Sequence, residues 1–257
     1  MKKIIPNLFT LLNLFFGCMA IVFALQTNNV IIYVNDQYNS SFNIPEKISW
    51  AAICIIIAAV IDFLDGFVAR LLKATSEMGK QLDSLSDVVS FGVAPSVIVY
   101  QLLKFSFARE ENGLDVPILF LVPALILACA AAYRLAKFNL DATQKYSFKG
   151  VPVPAVGLLI ASFPLILHFN FINSVNNIII NKWFLYVAII VLSYLMVSNH
   201  RMMSLKFSDL TLKNNLPKII LLVVAIIAAL FLHWIAVPVV FIIYILLSLT
   251  ISKNKAE

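Results

Sequence analysis

Charge is what this sequence has least of: Asp, Glu, Lys and Arg together make up 12% of its 257 residues, against 61% hydrophobic residues. With a mean hydropathy of +0.94, that scarcity excludes an ordinary soluble domain and makes the bilayer the solvent. Cysteine is also sparse. Cys18, Cys54 and Cys129 stand singly in apolar runs, without the paired spacing of a disulfide framework or a zinc site, and are expected to be small buried hydrophobes. No stretch has the composition of a linker or a low-complexity tract and no internal repeat is visible, so a single domain over 1–257 is expected. The apolar runs are long and do not alternate, which excludes a barrel and leaves helices to cross the bilayer. Two lysines ahead of the first run imitate a secretory leader, but the run is too long and no small-x-small site follows it. Phe15 and Phe16 ahead of Gly17 also argue against lipoprotein processing at Cys18, so this run is expected to be a retained helix.

The predicted architecture is an all-α integral membrane protein of about eight transmembrane helices. The first apolar run, from near Asn7 to Leu25, has about 20 residues, the usual length for crossing the hydrocarbon core; the second begins near Ile48 and runs into the aspartates, and the others cover roughly Leu82 to Leu103, Pro117 to Lys137, Pro154 to Phe171, Trp183 to Ser198, Pro217 to Trp234 and Pro238 to Ile251. The longest loop runs from Gln26 to Lys47, and the turn near Trp234 to Pro238 is the tightest join. The net charge of +6 belongs to the loops and marks topology and anionic headgroups, with no nucleic acid implied. With the N-terminus in the cytoplasm, that side carries fifteen Lys and Arg residues, and the other only Lys47, Lys104, Arg109 and Lys182. The positive-inside rule therefore fixes the orientation. His168, His200 and His233 read as interfacial, as do Trp50, Trp183 and Trp234.

Against this background one stretch is conspicuous. Asp62 and Asp65 end the second span, Asp83 and Asp87 begin the third, and Gly66, Ala69, Arg70 and Gly79 lie between them. Spacings of three and four residues put each pair of carboxylates on one face of its own helix, and the short connection lets the two faces oppose each other. Each ionised carboxylate at bilayer depth costs about 2.5–3.5 kcal/mol on insertion scales. Arg70 can compensate only one of them, so a hard divalent cation is the natural partner: the donors are all oxygen, and no Cys or His lies in the cluster. Oxygen donors suit Mg²⁺, Mn²⁺ or Ca²⁺, and two such ions sharing these carboxylates would suit in-line displacement at phosphorus. The small residues let backbone approach a bulky ligand or another helix, and Glu77 reads as a solvated linker charge beside the site. Topology puts this cluster at the cytoplasmic end of the second and third spans.

The pattern Asp62-x2-Asp65-Gly66-x2-Ala69-Arg70-x8-Gly79-x3-Asp83-x3-Asp87 resembles, at all eight fixed positions, the signature of the CDP-alcohol phosphatidyltransferases. These are membrane enzymes that move a phosphatidyl or phosphoalcohol group from a CDP-linked donor to an alcohol. The resemblance implies metal ligation by Asp62, Asp65, Asp83 and Asp87, with Asp87 also the catalytic base for the acceptor hydroxyl. It implies CDP binding by Asp62, Gly66, Ala69, Arg70, Gly79 and Asp83, and it suggests a homodimer.

Three further stretches resemble the membrane-embedded phosphatidylserine synthases. They are PNLFTLLN from Pro6 to Asn13, SFGVAP from Ser90 to Pro95, and RLAKFN from Arg134 to Asn139 taken together with KGVPVP from Lys149 to Pro154. The implied substrates are CDP-diacylglycerol and L-serine, in contact with membrane lipids, at a cytoplasmic site in a multi-pass protein of the inner membrane. Serine carries a carboxylate and an ammonium, so the basic loop 134–154 is the expected acceptor site, with Arg134, Asn139 and Lys149 as candidates. Lys137 and Lys145 read as snorkelling residues. Glycerol 3-phosphate or inositol as the acceptor stays open, as do a divalent-cation transporter and an inactive scaffold. The last hundred residues read only as hydrophobic helices.

Overall fold

A computed structural model describes residues 4–26, 45–72, 76–110, 116–140, 148–169, 172–203 and 212–254. Helix α1 (Ile4–Leu25) packs along α2 (Glu46–Leu71). Helix α3 (Glu77–Asp87) runs through a π-helical segment (Val88–Val93) into α4 (Ala94–Ala108), so the third expected span is one continuous but irregular rod. The fourth begins as two 3₁₀ turns, Ile118–Phe120 and Val122–Leu125, and becomes regular in α5 (Ile126–Leu140). Pro123 explains the delay, because it brings no amide hydrogen to the opening turns. Helix α6 (Val153–Phe169) follows. Where only a connection is expected, Asn173–Ile179 forms a short helix, α7, set at 61° to α8 (Lys182–Val197). Helices α9 (Leu212–Leu232) and α10 (Ala236–Asn254) complete the chain.

Among the described residues, five helical stretches are long and apolar enough to cross a membrane, or six if the bent α7–α8 pair is taken as one span, and α6 is shorter. One of the five, Lys218–Thr250, has 33 residues, well beyond the about 20 that span a bilayer. It doubles back: α9 and α10 pack against each other across a 3₁₀ turn, His233–Ile235, entered by His233 at φ +48°. The reversal lies at the start of the expected Trp234–Pro238 join.

Polar contacts sort the helix ends into two groups. At one end, Lys137 Nζ donates to Asn199 Oδ1 at 2.7 Å and Asn139 Nδ2 to Ser84 Oγ at 2.8 Å. A two-residue antiparallel pair, β1 (Phe148–Lys149) with β2 (Arg201–Met202), joins the same end. Gly150 follows at φ +74°, where a Cβ would lie 2.4 Å from the Met196 carbonyl oxygen, so only glycine fits this turn against the end of α8. At the other end, Lys182 pairs with Glu110, and Arg109 donates to Asn177 Oδ1 at 3.2 Å.

The expected burial of the cysteines needs correction. Cys54 is buried, but Cys18 and Cys129 are exposed. The outer face of a helix in lipid is as apolar as its inner face, so a small apolar residue gives no sign of which way it points.

Candidate active site

Helix α2 carries Asp62 and Asp65 in its C-terminal half, and α3 carries Asp83 and Asp87. Ser76 caps α3 by accepting from Gly79 N at 3.0 Å, which fixes where that helix starts and so which face Asp83 and Asp87 present. The result is a convergence of three carboxylates. Asp62, Asp83 and Asp87 each offer an oxygen, and these lie within 4.8 Å of one another. Among the described residues no other group of His, Cys, Asp or Glu converges in this way. An all-oxygen set this close, partly or fully buried, fits a hard divalent cation and would be strongly repulsive without one.

Asp65 is placed differently from the other three. It is buried, and its Oδ2 accepts from Thr10 Oγ1 at 2.7 Å. That bond ties it to α1 at the rim of a cleft of about 660 Å³, also lined by Gly66, Ala69, Arg70, Gly79 and Asp83. The expected CDP-contacting residues therefore share one cavity with Asp65, apart from Asp62, which lies in the carboxylate triad together with Asp83. A Cβ on Gly66 would meet nothing within 4 Å, so this glycine leaves open space. A Cβ on Gly79 would approach Asn7 Oδ1 to 2.9 Å, so Gly79 also lets α3 pack closely on α1. Arg70 is exposed at the end of α2 and Lys80 is exposed on α3. Both bring positive charge to this cleft. Glu77, exposed in the first turn of α3, lines the same cleft.

The contribution of α1 is what sequence reasoning missed. Besides Thr10, Asn13 Nδ2 donates to Asp87 Oδ1 at a long 3.5 Å. In return, Ser86 Oγ donates to the Thr10 carbonyl at 3.0 Å and Ser90 Oγ to the Asn13 carbonyl at 3.1 Å. One helix thus holds a carboxylate of α2 and another of α3. The available signal was a polar row, Asn7, Thr10 and Asn13, followed by Gly17, at helical spacing in an otherwise apolar run.

The acceptor candidates separate. Arg134 on α5 is buried, 8% exposed, and within electrostatic reach of Asp87 and of Tyr244 on α10. Its Nε is shut off from solvent and has no hydrogen-bond partner among the described residues. Asn139 is already bonded to Ser84, the neighbour of Asp83. Lys149 enters β1 by its backbone, but its side chain and Lys145 lie outside the described residues. The C-terminal hairpin also does more than add hydrophobic helices. Tyr244 donates to the Met203 carbonyl at 3.2 Å, and Ser248 Oγ accepts from Met203 N at 3.2 Å. These bonds hold α10 beside Arg134 and next to the β1–β2 pair.

Comparison with known proteins agrees with this geometry. The family model described as CDP-alcohol phosphatidyltransferase matches residues 3–194. The chain is similar to the CDP-diacylglycerol–serine O-phosphatidyltransferase of Helicobacter pylori, 35% identical over 199 residues, covering 76% of this chain and 70% of the relative. The enzyme of the same name from Bacillus subtilis is 34% identical over 148 residues, covering 58% and 71%. An archaetidylserine synthase from Methanothermobacter thermautotrophicus is 36% identical over 125 residues, covering 48% and 49%.

Proposed function

The chain belongs to the CDP-alcohol phosphatidyltransferase family, and from that premise we propose that it transfers the phosphatidyl group of CDP-diacylglycerol to the hydroxyl of L-serine, giving phosphatidylserine and CMP. The observation that carries this reading is the convergence of Asp62, Asp83 and Asp87 beside a cleft lined by Gly66, Ala69 and Arg70. The acceptor follows from the relatives, which share the serine-directed name.

Asp62, Asp65, Asp83 and Asp87 would hold two divalent cations, Mg²⁺ or Mn²⁺, which when bound neutralise the pyrophosphate and its departing oxygen. Asp62, Gly66, Ala69, Arg70, Gly79 and Asp83 seat the CDP moiety, with Arg70 offering a permanent forked donor to phosphate oxygens. Asp87 accepts the proton of the serine hydroxyl. The serine oxygen then bonds to the lipid-linked phosphorus as the bond to CMP breaks. Arg134 takes the serine carboxylate: a buried guanidinium with an unpartnered Nε is costly until an anion reaches it. Asn139 supports this wall through Ser84, and Lys149, in the same basic loop, is the third residue of the acceptor site. Charge asymmetry supports a site on the cytoplasmic face of the inner membrane, and the family resemblance favours a homodimer.

The test is CMP release from CDP-diacylglycerol by purified protein, with and without L-serine and with each metal. Release that needs both serine and Mg²⁺ or Mn²⁺ is expected. A preference for glycerol 3-phosphate would overturn the acceptor, and divalent-ion uptake by proteoliposomes without turnover would overturn the reaction.

A further inference from the structure

Two side chains around Asp87 are buried with an atom left unpartnered, and their chemistries are opposite. Arg134 Nε is a donor and Asn13 Oδ1 an acceptor, and both are shut off from solvent without a hydrogen-bond partner. Arg134 answers to the serine carboxylate. Asn13 has no role in that scheme, yet its residue is wholly buried, at 0% exposure, in the helix that also holds Asp65 through Thr10.

The orientation of the Asn13 amide follows from its neighbour. A carboxylate accepts and does not donate, so the group facing Asp87 Oδ1 at 3.5 Å must be Nδ2. Oδ1 is therefore turned elsewhere, as a lone acceptor one amide width away from the catalytic carboxylate. The backbone that carries this amide is pinned. Ser90 Oγ donates to the Asn13 carbonyl, and one turn later Gly17 packs so closely on Ser90 that a Cβ would lie 2.3 Å from its Oγ. Leucine would fill the same space with no orphaned oxygen, whereas a buried unsatisfied polar atom costs about 1–3 kcal/mol. The oxygen makes physical sense if a donor arrives with the substrate.

We propose that Asn13 Oδ1 accepts a hydrogen bond from the ammonium group of the acceptor substrate, so that Asn13 reads the amine while its Nδ2 steadies Asp87. The proposal rests on the reading of Asp87 as the base and L-serine as the acceptor. In serine the hydroxyl and the ammonium sit on adjacent carbons. A hydroxyl delivered to Asp87 therefore brings the ammonium alongside the same amide, while the carboxylate turns towards Arg134. Three unlike groups meet three unlike partners, which distinguishes serine from acceptors lacking either charge.

The experiment compares two acceptors with full-length protein, CDP-diacylglycerol and Mn²⁺: L-serine, and 3-hydroxypropionate, which keeps the hydroxyl and carboxylate but has no amine. In Asn13→Leu the kcat/KM for serine should fall about 10- to 100-fold further than that for 3-hydroxypropionate, the range expected for a hydrogen bond to a charged group. Asn13→Asp keeps an acceptor oxygen and should keep the preference for serine even if kcat drops, so it decides the matter if Asn13→Leu fails to fold. Equal losses for both acceptors in Asn13→Leu, or a lost serine preference in Asn13→Asp, would overturn the proposal and leave Asn13 as a positioning residue for Asp87. Wild-type protein that releases CMP with neither compound but does so with glycerol 3-phosphate would instead overturn the acceptor reading, and this proposal with it.

Discussion

Asp62, Asp83 and Asp87 share a small volume, while Asp65 is turned towards Thr10. Four similar carboxylates therefore divide into a tight group of three and one that is anchored to a neighbouring helix. Within the three, Asp87 is the one that α1 touches and that lies within reach of Arg134, which suits it to meet the acceptor. Asp87→Asn keeps the shape and one oxygen but cannot take a proton. Turnover should fall by about 10²- to 10⁴-fold, the usual contribution of a general base, while CDP binding measured by calorimetry stays near the wild-type value. Near-wild-type CMP release would refute the assignment. The aspartates were legible in the sequence because carboxylates at helical spacing have few other uses in an apolar chain. Thr10 and Asn13 were not, because a polar residue near the start of a membrane helix looks the same whether it faces headgroups, a neighbouring helix or a carboxylate.

The element that unites the site is the π-helical segment Val88–Val93, which begins one residue after Asp87. Segments of this kind widen a helix by one residue per turn and recur at functional sites. Here three other helices close upon it through small residues. Gly17 of α1 meets Ser90, Gly157 of α6 meets Phe91 at 3.0 Å, and Gly92 itself meets Ala131 of α5 at 3.0 Å, each distance measured from a Cβ added to the glycine. Ser96 Oγ takes up the Gly92 carbonyl at 2.7 Å, satisfying a backbone group the irregular turn would leave weakly bonded. Sequence patterning marked the stretch as a helix but could not show the extra residue, since apolar periodicity is nearly silent where every face is apolar. Gly17→Leu should drive α1 away from Ser90 and carry Thr10 and Asn13 with it. Overpacking of this kind costs about 1–3 kcal/mol, to be read as a lower midpoint of thermal unfolding in detergent. A variant as stable as wild type would show that α1 is not clamped here.

Taken together, the helices present two chemically distinct ends. The aspartates, the cleft, Arg134, the β1–β2 pair and the Met203–Tyr244–Ser248 contacts share one end, while Gln26–Lys47, Glu110–Lys182 and Arg109–Asn177 share the other. Loop charge in the sequence already divides in the same sense, so which groups share an end was readable before any coordinates. The reversal at His233 was only roughly so, because two apolar helices joined by three residues look much like one long one. Sidedness can be checked with single cysteines in a background lacking Cys18, Cys54 and Cys129, using a maleimide that cannot cross membranes. Arg109→Cys and His233→Cys should react in intact cells. Lys80→Cys and Lys137→Cys should react only once the membrane is opened. If Lys80→Cys were labelled from outside, the site would face away from the cytoplasm, where L-serine would have to be supplied from the wrong side. If His233→Cys stayed protected while Arg109→Cys reacted, α9 and α10 would not form a hairpin across the bilayer, and the wall that Tyr244 builds beside Arg134 would need another explanation.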